Sequence, residues 1–322
     1  MKFLKLLYPI ALIYGAIIWL RNKLFDWGIL KQTKFDIPII SIGNLSLGGT
    51  GKTPHIEYFI AKYISTKNIA VISRGYGRKT KGFRYVNATD SAENVGDEPL
   101  QIKQKFGETI IAVGENRVKA IQTVLDENPE INLILLDDAF QHRYVKPSLN
   151  ILLSEYNNPF WKDAIIPAGR LREFAFGFER ADAIIITKCP ENLNLKIPEN
   201  IQAKQIYYSR IIYQNPVLLK GQLSKKIILV TGIANPALLM SYLKTENYEL
   251  IHHFNFADHH NFNGSDISNI LSKTHSEKEV LILTTEKDWM RLKPFLEKED
   301  LNVVYIPIGV EIENAPLDWL KP

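Results

Sequence analysis

The sequence predicts an α/β fold: a parallel-sheet domain and a smaller second α/β domain, joined by a β-ribbon linker and preceded by an N-terminal apolar helix. Three observations carry this. After Pro38, short β-branched runs alternate with longer amphipathic stretches, the pattern of βαβ units. The runs are apolar almost throughout, as strands buried on both faces are. The first of them ends in a glycine-rich loop that opens a helix.

The opening stretch FLKLLYPIALIYGAIIWL (3–20) is almost wholly apolar, with Lys2 and Lys5 at one end and Arg21 and Lys23 at the other. Roughly 20 apolar residues cross a bilayer, so a spanning helix competes with an interfacial one that sets Tyr8, Tyr14 and Trp19 at headgroup depth. A secretory signal needs a small-x-small cleavage site, and none follows. Export would also part the glycine-rich loop from cytosolic nucleotide. A buried core helix is the plain alternative. Membrane attachment is the reading adopted for residues 1–30.

The strands follow in order: IPIISI (37–42), IAVIS (69–73), TIIAV (109–113), NLILLD (132–137), LNILLS (149–154) and AIIITK (183–188). KQIYYSRIIYQ (204–214) alternates and reads as a ribbon connector. A second αβ series runs through KIILVTG (226–232), EVLILTT (279–285) and NVVYIPI (302–308). The expected division is a first domain over 31–203, a linker over 204–225 and a second domain over 226–322. A chain of 322 residues holds two such cores. Its net charge of +4, from 39 basic and 35 acidic residues, is too mild to call for nucleic acid. A lone cysteine, Cys189, excludes an internal disulfide framework.

Residues 46–53 read Ser-x-Gly-Gly-Thr-Gly-Lys-Thr, a phosphate loop between a strand and a helix, with Pro54 suited to the first helical turn. Ser46, Leu47, Gly48, Gly49, Thr50, Gly51, Lys52 and Thr53 are therefore the nucleotide-binding candidates. Backbone N–H groups wrap the phosphates and the helix N-terminus adds positive potential. Lys52 reaches the outer phosphates and the Thr53 hydroxyl binds Mg²⁺. Ser46 stands where the strict pattern has glycine, which predicts altered curvature at the loop's entry. LILLDDAFQH (133–142) supplies Asp137 and Asp138 at a strand end, where a carboxylate serves the Mg²⁺ shell. ITKCP (186–190) puts Pro190 where a guanine-reading element has aspartate, so ATP is the expected nucleotide. Together these features make the first domain P-loop NTPase-like.

GNLSLGGTGKTP (43–54), SRGYGR (73–78), VGDEP (95–99), LDDAFQH (136–142), IPAGRLRE (166–173), GIANP (232–236), FADHHNF (256–262) and TTEKDWMRL (284–292) occur in one order over nearly the whole chain. That set resembles the tetraacyldisaccharide 4′-kinase family of lipid A synthesis. One departure is Ala139, where the family has glycine. The resemblance implies ATP-dependent phosphorylation of the 4′-hydroxyl of a tetraacylated disaccharide 1-phosphate, with ATP and Mg²⁺ as cofactors. It implies a lipid-linked substrate, the lipid surface of the bacterial inner membrane on its cytoplasmic face, and no obligate protein partner. Asp97 and His259 match the family's catalytic pair, a carboxylate and an imidazole suited to general-base work. Glu173 joins Thr53, Asp137 and Asp138 as a metal candidate; Arg74, Arg78, Arg117, Arg170 and Arg172 are substrate candidates. The rival is a membrane-associated P-loop ATPase switch with no metabolite acceptor.

Overall fold

The computed structural model describes residues 7–258 and 260–320. Helix α1 (Tyr8–Asp26) leads to β1 (Ile39–Asn44), α2 (Lys52–Tyr63), β2 (Ile69–Ser73) and a short β3 (Arg84–Tyr85). Then come α3 (Ala92–Val95), α4 (Asp97–Lys105), β4 (Ile110–Val113), α5 (Arg117–Glu127), β5 (Leu133–Asp137), β6 (Leu149–Glu155) and β7 (Ala183–Thr187). After α6 (Glu199–Gln202) and β8 (Gln205–Tyr213) the chain enters β9 (Val217–Lys220), β10 (Lys226–Thr231), α7 (Ala237–Thr245) and β11 (Glu249–Asn255). Helix α8 (Gly264–His275), β12 (Leu281–Thr285), α9 (Glu286–Leu296), β13 (Val303–Ile306) and β14 (Ile308–Glu313) complete it.

The strands form a nine-stranded sheet in the order β14-β8-β7-β6-β1-β5-β2-β4-β3 and a five-stranded sheet in the order β11-β10-β12-β13-β9. The large sheet is parallel except at its edges, where β3 and β14 run antiparallel to their neighbours. Adjacent strands β1 and β5 send their connections in opposite directions, to β2 and to β6, and such a switch point opens a crevice at the carboxyl ends of the strands.

Two expectations about the division need correction. The segment 204–225 is no free-standing ribbon: β8 pairs with β7 in the large sheet, whereas β9 pairs with β13 in the small one. Nor does the second domain keep the rest of the chain, because β14 returns to pair with β8. Beyond it, Trp319 packs on Phe59 with ring centroids 5.4 Å apart and its backbone N–H donates to Tyr63 Oη at 2.8 Å.

One apolar core lies between the large sheet and α2, where Ile40, Ile42, Phe59 and Ile60 are fully buried, and continues to Ile228, Ile282 and Trp289 of the second half. At roughly 1.5–3 kcal/mol per large apolar side chain withdrawn from water, this shared core is what joins the halves. Ile121 and Val124 of α5 cover the opposite face. Leu239 and Leu243 of α7 close the outer face of the small sheet.

Helix α1 takes Pro9 in its first turn and stops at Gly28, whose φ of 73° only glycine adopts freely. Its inner face is narrow. Ala11 is buried, and Gly15 lies so close to Phe174 that a β-carbon would come within 2.4 Å of that ring. Leu12, Ile13 and Ile17 on the outer side stay more than half exposed, at 54%, 65% and 62%. Among the described residues, no helix is long and apolar enough to cross a membrane.

Candidate active site

Every residue of β1 is buried, and the strand delivers the phosphate loop into the crevice. Ser46 forms an antiparallel bridge with Leu171; Leu47 N–H donates to the Arg170 carbonyl and Arg172 N–H to the Leu45 carbonyl, both at 2.7 Å. The entry is therefore extended, a shape any residue adopts, and serine serves without penalty. The left-handed turns fall later, at Gly48 (φ 107°) and Gly51 (φ 84°). Asn44 Nδ2 donates to Thr50 Oγ1 at 2.7 Å, and a β-carbon on Gly49 would lie 3.9 Å from Ala234 of the GIANP turn, so the second half abuts the loop.

His55 braces the loop from behind. Its Nδ1 lies 2.6 Å from the Gly51 carbonyl and its Nε2 3.0 Å from Ser209 Oγ. A carbonyl only accepts, so Nδ1 carries the proton and Nε2 receives the serine hydroxyl. Burial pushes its pKa down to about 4, keeping the ring neutral.

At the end of β5 the two aspartates divide. Asp137 accepts from Ser73 Oγ at 2.9 Å through Oδ2, while its buried Oδ1 has no protein partner. Burial, then Glu98 and Asp138, push its carboxyl up to about 7. Asp138 faces Lys52 Nζ at 3.8 Å and accepts from Arg172 Nη1 at 2.8 Å. Burial works upward on Asp138 too, but Lys52 and Arg172 outweigh it and hold the carboxyl below its usual range. The positive φ of this turn, 47°, belongs to Asp138 and not to Ala139, so alanine strains nothing.

These groups fit Mg²⁺ bound with a nucleotide. The orphaned Asp137 Oδ1 is a hard oxygen ligand, and Mg²⁺ takes one or two carboxylates plus phosphates and water. Among the described residues no group of three or more His, Cys, Asp or Glu gathers into a metal cluster, so the phosphates must complete the shell. Glu173 is otherwise engaged: it is 2% exposed and accepts from Arg180 at 2.7 Å, Asn22 at 2.8 Å and Gln141 at 3.1 Å. Through Asn22 it ties α1 to the site. Tyr14 Oη, donating to the Arg172 carbonyl at 3.1 Å, adds a second tie.

The arginines sort by what they touch. Arg78 bonds Glu115 at 2.6 Å and Arg170 bonds Asp163 at 2.8 Å, so both brace loops. Arg117 is buried; burial lowers its pKa against the pull of Asp137, and exposed Arg74 works in the same direction as burial. His142 sits in the same field: burial, then Arg117, Arg21 and Arg74, push it down to about 4, and its buried Nε2 has no partner. His142 is thus a neutral imidazole in the positive field of three guanidiniums.

Asp97 is the first residue of α4, 6% exposed, and accepts from the Glu98 N–H at 2.9 Å. Its carboxylate faces Arg291 Nε at 3.8 Å, across from α9. Arg291 also donates to the His260 and Gly232 carbonyls, at 3.0 and 3.2 Å, and pairs with Asp288. Lys287 reaches Glu98 at 3.2 Å and Asp258 at 3.8 Å; burial would lower its pKa, but Glu98, Asp97 and Asp258 raise it. His259 lies outside the described residues. Its neighbour His260 bonds Asp266 at 2.8 Å. Lys287 and Arg291 were given no role from sequence, although both stand in TTEKDWMRL. His55 and Gln141 gave no local signal beyond their place beside a motif.

A phosphate loop after β1, a carboxylate pair after β5 and a cationic crevice between two sheets define a P-loop phosphotransferase. The family model for tetraacyldisaccharide-1-P 4′-kinase matches residues 3–321. The chain is 42% identical to the tetraacyldisaccharide 4′-kinase of Phocaeicola vulgatus, covering 99% of this chain and 96% of that one. It is 43% identical to that of Bacteroides thetaiotaomicron, over 97% and 90%. Among solved structures it resembles the LpxK of Aquifex aeolicus, crystallised in complex with ATP, with a TM-score of 0.79 and 28% identity over 97% and 96% of the two chains. The chain belongs to the tetraacyldisaccharide 4′-kinase family.

Proposed function

We propose that the chain transfers the γ-phosphoryl of ATP to the 4′-hydroxyl of a tetraacyldisaccharide 1-phosphate, giving the 1,4′-bisphosphate of lipid A synthesis. One observation carries the reading: nucleotide loop, acidic pair and Asp97 border one crevice, and α1, bonded to Glu173 and the Arg172 carbonyl, turns an apolar face outward. Residues 46–53 hold the ATP phosphates, with Lys52 neutralising the outer ones. Mg²⁺, held by Thr53, Asp137 and the nucleotide, would offset the phosphate charge. Asp97 accepts the proton of the 4′-hydroxyl, with His259 as its partner; Arg291 and Lys287 hold the carboxylate at the site. Arg172, bonded to Asp138 beside Lys52, is placed to meet charge spreading onto the transferred group. Arg21, Arg74 and Arg117, whose positive field reaches His142, suit the sugar's anionic phosphate.

The exposed Leu12, Ile13 and Ile17 face of α1 supports monotopic docking on the lipid that carries the substrate. Cytosolic ATP places this at the cytoplasmic face of the inner membrane. The deciding experiment supplies labelled ATP with and without acylated disaccharide 1-phosphates and resolves products by mass. A bisphosphate formed only with the acceptor is expected. Equal ATP turnover without any acceptor would leave the ATPase switch standing instead.

A further inference from the structure

Away from the crevice, a second charged cluster lies buried between three helices. Lys105, at the last turn of α4, places its Nζ 2.6 Å from Glu57 of α2 and 3.5 Å from Glu286 of α9. Gln101, one turn earlier, donates to Glu57 at 2.7 Å and lies 3.5 Å from Glu286. Glu57 and Glu286 are 4% and 6% exposed. Each helix leaves from the site: α2 begins at Lys52, α4 begins at Asp97, and α9 carries Lys287 and Arg291.

Burying two carboxylates and an ammonium gains little stability over apolar packing, because desolvation offsets the attraction. What such a cluster does supply is register. Lys105 and Asp97 stand at opposite ends of one helix, about 12 Å apart at 1.5 Å per residue, so a slide of α4 moves both equally. The cluster also borders the place where the chain passes between sheets: Lys105 and Glu286 line a cavity of ≈ 470 Å³ with Gln214 and Pro307 of the two crossings. Burial, then Glu57, push Glu286 up to about 7 against the pull of Lys105, and burial raises Glu57 as well, so both carboxyls depend on the one lysine.

We infer that Lys105, held between Glu57 and Glu286, is a positioning residue for phosphoryl transfer: it locks α4 against α2 and α9 so that Asp97 meets the acceptor hydroxyl. This rests on Asp97 being the proton acceptor. A misplacement of about 1 Å lowers turnover by as much as 100-fold, and the effect falls on kcat, since His55, bonded to Gly51 and Ser209, holds the ATP loop without Lys105.

The test measures kcat and the KM for ATP in Lys105→Met, Lys105→Arg and Glu286→Gln, each alone and with Asp97→Asn. Lys105→Met should lower kcat by roughly 10–100-fold with KM for ATP changed less than about threefold, and Lys105→Arg should recover most of it. In the Asp97→Asn background, Lys105→Met should remove less than about threefold more, because the group it positions is gone. An equal loss in both backgrounds, or a loss lodged in the KM for ATP, would overturn the inference. Near-wild-type turnover of Asp97→Asn alone would instead remove the proton-acceptor reading. If Lys105→Met shows no cooperative unfolding, Glu286→Gln, which keeps the shape, decides by the same criteria.

Discussion

Replacing His55 with alanine should weaken both the fold and ATP binding, by amounts the contacts allow one to work out. Two buried hydrogen bonds disappear, to the Gly51 carbonyl and from the Ser209 hydroxyl. Each contributes about 1 kcal/mol net, and each partner left unpaired in the interior adds to the loss. A destabilisation of about 2–4 kcal/mol follows, in the range of a broken buried network. Gly51 is the left-handed residue at the start of α2, so releasing its carbonyl also loosens the loop before nucleotide arrives. Losing about 1 kcal/mol of that preorganisation raises the KM for ATP roughly fivefold.

The imidazole adds a pH signature with a definite sign. Burial lowers its folded pKa to about 4 from the ordinary 6.5. The fold therefore favours the neutral ring, and that stability is fully present above pH 6.5 and drains away as pH falls toward 4. By pH 5.5 the unfolded chain has taken up the proton and the folded chain has not, a loss of about 1.4 kcal/mol. The gap between wild type and His55→Ala should shrink by that amount between pH 7.5 and 5.5 in denaturant titrations. His55→Asn places its amide near Nδ1 and should keep the Gly51 bond, hence most of the ATP affinity. A variant with stability within about 0.5 kcal/mol of wild type, or a gap that does not narrow in acid, would refute the brace.

Lys52→Ala and Thr53→Ala should each cut turnover steeply, through lost phosphate neutralisation and a lost Mg²⁺ ligand; labelled-ATP turnover checks both. Asp97→Asn should lower kcat by about 10²–10⁴-fold with little change in ATP affinity, read by steady-state kinetics and nucleotide titration. Changing Ile13 and Ile17 together to glutamine should leave thermal unfolding nearly unchanged, since both are exposed, while cosedimentation with lipid vesicles falls. Deleting residues 1–25 should instead impair turnover as well as lipid binding, because Asn22 and Tyr14 hold Glu173 and the Arg172 backbone.

Much of the large sheet was legible because its strands are buried on both faces and so read as apolar runs; β1, β2, β4, β5, β6 and β7 stand where the runs stood. The phosphate loop was legible because its chemistry is local to eight consecutive residues. β11 was not: its sequence ELIHHFN lies at a sheet edge, half exposed, and carries no continuous apolar signal. β14 was hidden for another reason. Residues 302–314 carry β-type sequence throughout, and only long-range pairing tells that Ile306 and Ile308 belong to different sheets. The same limit hid the partners of Asp97. Nothing near GDEP says that a lysine and an arginine from α9 will meet it, and nothing in GKTPH says that its histidine will reach Ser209.

The return of β14 bears on how such a site closes. The halves are joined by two covalent crossings, after β8 and before β14, and these run side by side, with Gln214 N–H donating to the Pro307 carbonyl at 2.9 Å. A single linker would let the second half swivel freely; two strands bonded together leave one soft direction, a flexing of the pair. Beside this hinge the contacts are Lys105 with its buried carboxylates. Across the crevice they are of another kind: Gly49 against Ala234, Lys287 with Glu98 and Asp258, Arg291 with Asp97. Contacts across the crevice re-form with water or phosphate when it opens, whereas those beside the hinge lie close to the axis and move little. Opening about this axis would therefore separate Asp97 from Arg291 and the loop from Ala234, while the Lys105 cluster holds the helix registers on which closure depends.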